Sequence, residues 1–389
     1  MTKTTPKSEP NTNFNTDVVQ SRSTQKARRR VLLSRIKRKI LHHVWILRGL
    51  ILTFILILIC GVFLLVSILV RRSGLDFYIN LTKDFIFTPS EKIKLQDTRT
   101  NILILGKGGA GHDAPDLTDT IIFTSVNHKD QSVTLISLPR DIWIPQLRAK
   151  LNSIYYWGNK KQDKGGVVLA KATVEEIVGQ SIHYAVVVDF SGFKKIIDIL
   201  GRIEVDVENA FTDERYPIPG REDDECDGEE GSSASRKEFK CRYETIHFEK
   251  GIQYMDGETA LKFVRSRYAQ GDEGTDLARA KRQQRVILAL KDKVLSRDII
   301  FSPSKLLELK KAVEESVETD IDPSAGVVLA RRILSARDSV SSRVVPEDLL
   351  ENPPKSPRYD NLYVFIAKNA DWSEVHKWVD CVLGKVICN

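Results

Sequence analysis

The sequence predicts an α/β domain carried behind a single membrane-spanning helix, and three observations lead there. Residues 49–70 read GLILTFILILICGVFLLVSILV, without a charge. From about residue 97, short β-branched or apolar runs alternate with stretches of helical periodicity, the pattern of strands covered by helices. Several of the helical stretches open on Asp, Ser-Pro or Asp-Pro, residues that suit a helix start.

Residues 1–25 are rich in Ser, Thr, Asn and Lys and lack periodicity, the composition of a disordered tail. As a helix, the uncharged run would be about 33 Å long, close to the roughly 30 Å of a bilayer's hydrocarbon core. Arg71 and Arg72 close it. A cleaved signal peptide would have a shorter apolar region followed by a small-x-small site, so a retained anchor fits better. The flank from Lys26 to Arg48 is basic and has no acids. The positive-inside rule then puts residues 1–48 in the cytoplasm and everything after residue 71 outside, at the cell membrane.

The domain plan is a basic tail (1–48), the anchor (49–70), a linker (71–96), the main α/β domain (97–300, with an acidic insert at about 213–245) and a C-terminal α/β extension (301–389). Thr100–Leu105, Thr120–Val126, Val133–Ser137 and Tyr184–Val188 read as buried strands. Gly166–Val178 and Ser191–Leu200 read as helices. Asp256 is placed to cap a helix to about Phe263, and another runs from Asp276 to about Leu295. Ser302-Pro303 and Asp322-Pro323 open two more, a strand is expected at Leu362–Ile366, and a helix at Trp372–Val382 ends the series.

Composition narrows the function. The 389 residues are 42% apolar and 29% charged, which excludes collagen-like, coiled-coil and wholly disordered chains. The net charge of +7 is unevenly spread: residues 1–48 hold 12 Lys/Arg against 2 Asp/Glu, and residues 49–389 hold 47 against 50. The basic stretch thus serves topology and anionic lipid, and the slightly acidic remainder argues against a nucleic-acid partner. Of five cysteines, Cys60 lies in the anchor, leaving Cys226, Cys241, Cys381 and Cys388 on the exported side. Three pairings are possible, and the sequential one is the simplest. A Cys226–Cys241 bridge would tether Arg221–Glu230, where seven of ten residues are acidic. No CxxC or His spacing supports zinc instead.

Gly106-Lys-Gly-Gly-Ala-Gly111 matches the dinucleotide fingerprint in letters only. That motif needs a helix to start at the glycines, whereas His112-Asp-Ala-Pro115 and another strand follow. There is no G-x-S-x-G elbow and no H-E-x-x-H. What does stand out is arginine beside acid at strand ends: Asp119 opening a strand, Arg140-Asp141 closing another, and Lys150-Leu-Asn152 ten residues on. Arg265 and Arg267 are two apart and in extended chain would share a side. Arg279, Arg282 and Gln283 fall at i, i+3 and i+4 of a helix, although Arg282, like Arg285, reads better as ordinary surface charge. Guanidinium forks suit phosphate oxygens, and carboxylates suit Mg²⁺ bridging to a substrate phosphate, so the set describes a pyrophosphate site with a metal.

Leu117–Phe123, Ser137–Asp141, Lys150–Asn152, Asp189–Phe193, Met255–Leu261, Arg265-Ser-Arg267 and Arg279–Gln284 occur in the order seen in LytR–CpsA–Psr proteins. The chain resembles that family over about residues 97–295. The resemblance implies a three-layer α/β/α sandwich with a central mixed sheet, outside the membrane and behind one helix. It implies a phosphotransferase that moves a glycopolymer from a polyprenyl-pyrophosphate carrier to a peptidoglycan sugar hydroxyl. By the same resemblance Asp119 and Asp141 would hold Mg²⁺ (or Mn²⁺) or help deprotonate the acceptor. Arg140, Arg265, Arg267 and Arg279 would clamp the pyrophosphate with Gln283 assisting, and Lys150 and Asn152 would flank them. Catalysis would rest chiefly on Asp119, Arg140, Asp141 and Arg267. The sequence departs from the family where Lys107-Gly108 replaces a usual Asp, and Asp113 is the first substitute as metal ligand. A hydrolase acting on the same lipid, and a non-catalytic receptor or regulator, are the competing readings.

Overall fold

The computed structural model describes residues 48–65 and 83–386 apart from 110–113, 222–223 and 227–238, with the single positions Ser34 and Lys37. It divides into two units, Met1–Asp76 and Phe77–Asn389. The first contains a helix, Arg48–Leu65, with a mean hydropathy of 2.6 and every described side chain exposed, long and apolar enough to cross a membrane. Cys60 lies in it as a free thiol, and the end of the expected span, residues 66–70, lies outside the described residues.

In the second unit β1 (Arg99–Lys107), β2 (Thr118–Asn127) and β3 (Ser132–Ser137) form an antiparallel meander. Their Ile, Leu, Val, Phe and Thr side chains suit a pleated surface covered on both faces. Helices α1 (Ile154–Lys161) and α2 (Gly165–Val178) cross over to β4 (Tyr184–Asp189), which lies parallel to β1. Asp189 caps α3 (Phe190–Leu200) by accepting the Gly192 amide. Four shorter strands, β5 (Ile203–Val207), β6 (Phe211–Pro217), β7 (Tyr243–Phe248) and β8 (Gly251–Met255), make two antiparallel pairs, β5 with β8 and β6 with β7. Helices α4 (Gly257–Arg265) and α5 (Asp276–Val294) start on the side-chain caps of Asp256 and Thr275. The chain continues through α6 (Pro303–Ser316), β9 (Val317–Thr319), α7 (Pro323–Ser335), β10 (Val340–Val344) and α8 (Ser373–Val382).

The six-stranded sheet has the order β9-β4-β1-β2-β3-β10 and is mixed, as expected. Its two faces separate by strand parity. Leu103 and Leu105 pack with Ile154, Val174, Val178 and Val379 of α1, α2 and α8. On the other face Ile102 and Tyr184 meet Val328 and Leu329 of α7, and Ile122 and Val126 meet Ile287 and Leu288 of α5. This is the three-layer sandwich. A second core, built on Ile203, Val205, Phe211, Phe248 and Phe263, joins the small strands to α3, α4 and α5.

Four expectations change. Residues 301–389 are not an appended subdomain: β9 and β10 are the two edge strands of the central sheet, against β4 and β3. The strand expected at Leu362–Ile366 shrinks to Ile366–Ala367, because Phe365 is used to clasp the segment 141–143; its amide donates to the Asp141 carbonyl (3.0 Å) and its carbonyl accepts from the Trp143 amide (2.8 Å). The acidic insert does not begin at 213. Residues 211–217 are β6, part of the second core, and the excursion lies between β6 and β7. It is closed by a Cys226–Cys241 disulfide over 15 residues, which in the chain-entropy model stabilises by about 3 kcal/mol. Cys381 is also disulfide-bonded, and Cys388 lies outside the described residues. Finally, Arg265 and Arg267 do not lie in one extended run, because Arg265 is the last residue of α4 and Ser266 is its C-cap.

The edge strands give a direct test. A chain stopped after residue 300 would expose β3 and β4 as open edges and lose the α7 and α8 covers. We expect it to melt without a cooperative transition by circular dichroism, whereas a truly appended subdomain would leave the melt of the remainder intact.

Candidate active site

The site forms where β1, β2 and β3 end beside the N-terminus of α5. Asp119, second residue of β2, is half-buried and takes two guanidinium groups. Arg140 donates from Nη1 to Oδ1 at 2.5 Å, and Arg267 from Nη2 to Oδ2 at 2.6 Å. Arg140 also lies 3.4 Å from Asp141 through Nε, a buried atom that makes no hydrogen bond. Asp141 is buried and accepts from Lys150 Nζ at 2.6 Å. Lys150 comes from a hairpin, Trp143–Ile144 with Ala149–Lys150. The Asn152 amide donates to the Arg140 carbonyl at 3.0 Å, fixing the turn that presents both Arg140 and Asp141.

Arg279 and Gln283, one turn apart on α5, line the same cavity as Asp119 and Arg140. Arg279 pairs with Asp276 at 2.5 Å rather than with Asp119. Arg282, although only three residues from Arg279, faces away. It is 2% exposed and donates to the Phe263 and Ser266 carbonyls and to Glu273. Arg285 pairs with Glu208. The three-residue face expected on α5 is therefore two residues, Arg279 and Gln283, because the 100° step of a helix carries Arg282 under the α4 terminus. Arg265 lies over the rings of Phe190 (4.5 Å) and Tyr216 (5.7 Å) at the edge of the cluster. Asp113 lies outside the described residues. The other predicted site residues converge here.

Charge explains their titration. Burial works against the Asp119 carboxylate, but Arg267, Arg140 and the more distant Arg279 outweigh it and hold it below the usual Asp range. Burial likewise opposes charge on Arg140, whose pKa is nonetheless raised by Asp119 and Asp141. Arg279 is lowered to about 10, by burial first and by repulsion from Arg140 and Arg267, with Asp276 opposing. Three guanidinium groups and an ammonium thus meet three carboxylates, Asp119, Asp141 and Asp276, leaving the centre one negative charge short.

Two cavities share Asp119 and Arg140. One lies between the sheet and α5, with walls of Ile121, Leu138, Leu277, Val344 and Phe365, and encloses only about 40 Å³. The other holds about 320 Å³ and is walled by Tyr216, Tyr243, Tyr268 and the prolines of β6 and its loop, with Arg265, Arg267 and Asn152. Of the Gly-rich run, residues 110 and 111 lie outside the described residues, and residues 106–109 show no helix. β1 extends through Lys107 and its next partner is antiparallel β2. Gly109 has φ +79°, and a Cβ there would lie 2.8 Å from the Asp189 Cβ.

Asp213 is the residue that sequence reasoning missed. It is wholly buried, and its Oδ2 accepts from Ser266 Oγ (2.7 Å), the Arg267 amide (3.1 Å) and the Tyr268 amide (3.1 Å), while Oδ1 accepts the Arg215 amide (2.9 Å). Together with Arg282 on the Ser266 carbonyl it fixes the loop that aims Arg267. The signal was period two: Asp213 shares strand parity with inward Phe211.

The LytR_cpsA_psr family model matches residues 81–379, and the chain belongs to that family. It is 28% identical over 278 residues to the polyisoprenyl-teichoic acid–peptidoglycan teichoic acid transferase TagU of Enterococcus faecalis, covering 68% of this chain and 78% of that protein. It is 28% identical to the transferase TagV of Bacillus subtilis over 62% of this chain, and spans 54% of that relative's length. The crystal structure of B. subtilis TagV shares the fold, with a TM-score of 0.51 and 24% identity over 75% of this chain and 99% of the other.

Asp213→Ala would strand three backbone amides and a hydroxyl around a buried void, costing about 3–5 kcal/mol in a urea unfolding experiment. The Asp119 ion pairs should show in acid titration. A carboxyl whose folded pKa is depressed stabilises fully above its ordinary 3.8 and loses that contribution as pH falls through the lower folded value. The stability difference between wild type and Asp119→Asn should therefore be constant at neutral pH and shrink only in that acid window.

Proposed function

We propose that this chain is a membrane-anchored phosphotransferase that moves a glycopolymer from a polyprenyl-pyrophosphate carrier to a sugar hydroxyl of peptidoglycan. The observation that carries this reading is the cluster of Arg140, Arg267, Arg279 and Lys150, under-neutralised by Asp119, Asp141 and Asp276, at the junction of an apolar and a tyrosine-lined cavity. A diphosphate between a lipid and a sugar has that same order of parts. Family membership and the names of the relatives support the substrate class. The positive-inside charge of residues 26–48 supports a cytoplasmic N-terminus and an external catalytic unit.

The reaction joins the acceptor oxygen to the phosphorus that bears the polymer, breaks that phosphorus's bond to the bridging oxygen, and releases polyprenyl phosphate. Transition states of this kind are loose, with charge spread over the phosphoryl oxygens, so positioned cations supply most of the acceleration. Arg267 and Arg140 exchange Asp119 for the phosphate oxygens, and the spare Nε of Arg140 adds a donor. Arg279 and Gln283 face the leaving side. In the resting site Asp119, with its depressed pKa, keeps two mutually repelling guanidiniums in place. When they turn to phosphate, that carboxylate is released, either to receive the acceptor's proton or to hold a metal ion. The apolar cavity is too narrow for a prenyl tail as it stands, so binding one requires it to widen.

The donor chemistry is compatible with Mg²⁺ or Mn²⁺ held by Asp119 and phosphate oxygens, since magnesium commonly takes one or two carboxylates and completes its shell with substrate and water. Bound there, the ion would supply further neutralisation of phosphate charge. Among the described residues no group of three or more acidic, His or Cys side chains could hold it without substrate. Asp141, engaged by Lys150, is the weaker ligand.

The test is the full-length chain in detergent with a polyprenyl-pyrophosphate-linked sugar, a peptidoglycan oligomer and Mg²⁺, read by mass spectrometry for the phosphodiester product. Arg267→Ala and Asp119→Ala should reduce turnover by about 10²-fold or more while melting cooperatively. EDTA should abolish turnover, with recovery on adding Mn²⁺. Free sugar phosphate as the only product would favour hydrolysis, and bound but unchanged lipid would favour a receptor.

A further inference from the structure

A separate cleft of about 530 Å³ is lined in part by the Trp143–Lys150 hairpin, which also supplies Lys150 to the arginine–aspartate cluster. The hairpin pairs Trp143 with Lys150, so the strand pair that delivers Lys150 to Asp141 also lays Trp143 along the cleft floor. The C-terminal segment makes the facing wall. Tyr359 meets Trp143 edge to face at 6.0 Å, the Arg358 guanidinium lies 5.6 Å from the Tyr359 ring, and half-buried Trp372 at the start of α8 adds a third aromatic. Gln146 donates to Glu176 at 3.3 Å near the rim. Adjacent residues of one short segment serve both places: Phe365 faces the apolar cavity beside Asp119 and Ile366 faces this cleft.

We infer that this cleft binds a glycan strand built of neutral amino sugars. Its lining combines aromatic rings with planar polar side chains of both signs. Arg148, also in the wall, is already neutralised by Asp360. A lipid tail would leave those polar groups unsatisfied, and a phosphate would find no excess of positive charge comparable to the neighbouring site. Trp143 and Tyr359 are 4% and 6% exposed and form a packed floor with Val364, so the ring that a sugar's apolar C–H face meets is half-buried Trp372, with the hydroxyl or acetamido groups turned to the amide, carboxylate and guanidinium of the lining. The cleft and the Asp141 carboxylate are linked through the Trp143–Lys150 hairpin. A strand seated there would bring a neighbouring sugar's hydroxyl toward the phosphates, and its identity as the acceptor rests on the transferase reading above.

The experiment is calorimetric titration of the full-length chain in detergent with a soluble β-1,4-linked N-acetylglucosamine oligomer, and separately with inorganic pyrophosphate. Wild type should bind the oligomer saturably. Trp372→Ala and Arg358→Ala should weaken that binding about 10-fold while leaving pyrophosphate binding as in wild type. Arg358→Ala should also keep the wild-type melting temperature, Trp372→Ala should lower it because the ring packs on the main core, and Trp372→Phe should retain most of the affinity. Asp119→Ala should do the reverse, weakening pyrophosphate and sparing the oligomer. In the transfer assay Trp372→Ala should raise the KM for acceptor with kcat held. No oligomer binding by wild type, or unchanged binding by the folded Arg358→Ala variant, overturns the inference. Oligomer binding that depends on Trp372 in a chain that forms no phosphodiester overturns the transferase reading instead and leaves the glycan site standing.

Discussion

Asp119 holds two guanidinium groups that would otherwise repel each other, and a third, Arg279, stands close enough to be pushed down by both. Gathering like charges in a half-buried place is unfavourable, so each must be restrained from its own side of the fold. Arg267 is aimed by a loop tied to the buried Asp213 and to Arg282. Arg140 is aimed by a turn bonded to the Asn152 amide, next to an Asp141 whose carbonyl is clasped by Phe365. Arg279 rises from the first turn of a helix capped by Thr275 and is paired with Asp276. The three restraints come from the second core, the C-terminal segment and α5. Neither core alone could form the cluster.

How much of this was legible depended on whether the signal was local. The meander and β4 are β-branched and apolar runs buried on both faces, and that apolar, β-branched character declares them. The edges are different. β9 is three residues, and β10 reads Val-Ser-Ser-Arg-Val, because an edge strand is half solvated and has little apolar pattern to show. Hence a segment that completes the sheet looked appended. Leu362–Ile366 failed for the opposite reason: its apolar residues are genuine, but tertiary contacts with residues 141–143 recruit them as a clasp rather than a strand.

The site divides in the same way. Asp119, Arg140, Asp141 and Lys150 lie at strand ends or turns whose position the strands already fix, so their convergence could be anticipated. Arg282 could not be separated from Arg279 by spacing, since a turn of helix does not say which side meets a neighbouring terminus. Asp213 was hidden by composition: it stands shortly before a run of acids, and only its parity with Phe211 marks it as inward. An acid on the buried side of a strand is costly unless several donors await it, and here a hydroxyl and three amides do.

The C-terminal segment then acquires a reason beyond stability. Through Phe365 it touches the Asp141 carbonyl and the apolar cavity, and through Ile366, Tyr359 and Trp372 it builds the aromatic cleft. Because consecutive residues of extended chain point to opposite sides, one short segment cannot shift toward either cavity without moving the other. A ligand that widened the cavity between α5 and the sheet would press on the wall that Phe365 shares, and one that filled the aromatic cleft would bear on the same segment from its other side. The two substrates of a transferase must meet at one phosphorus atom, and a common wall between their binding places is a direct way for the fold to set that meeting point.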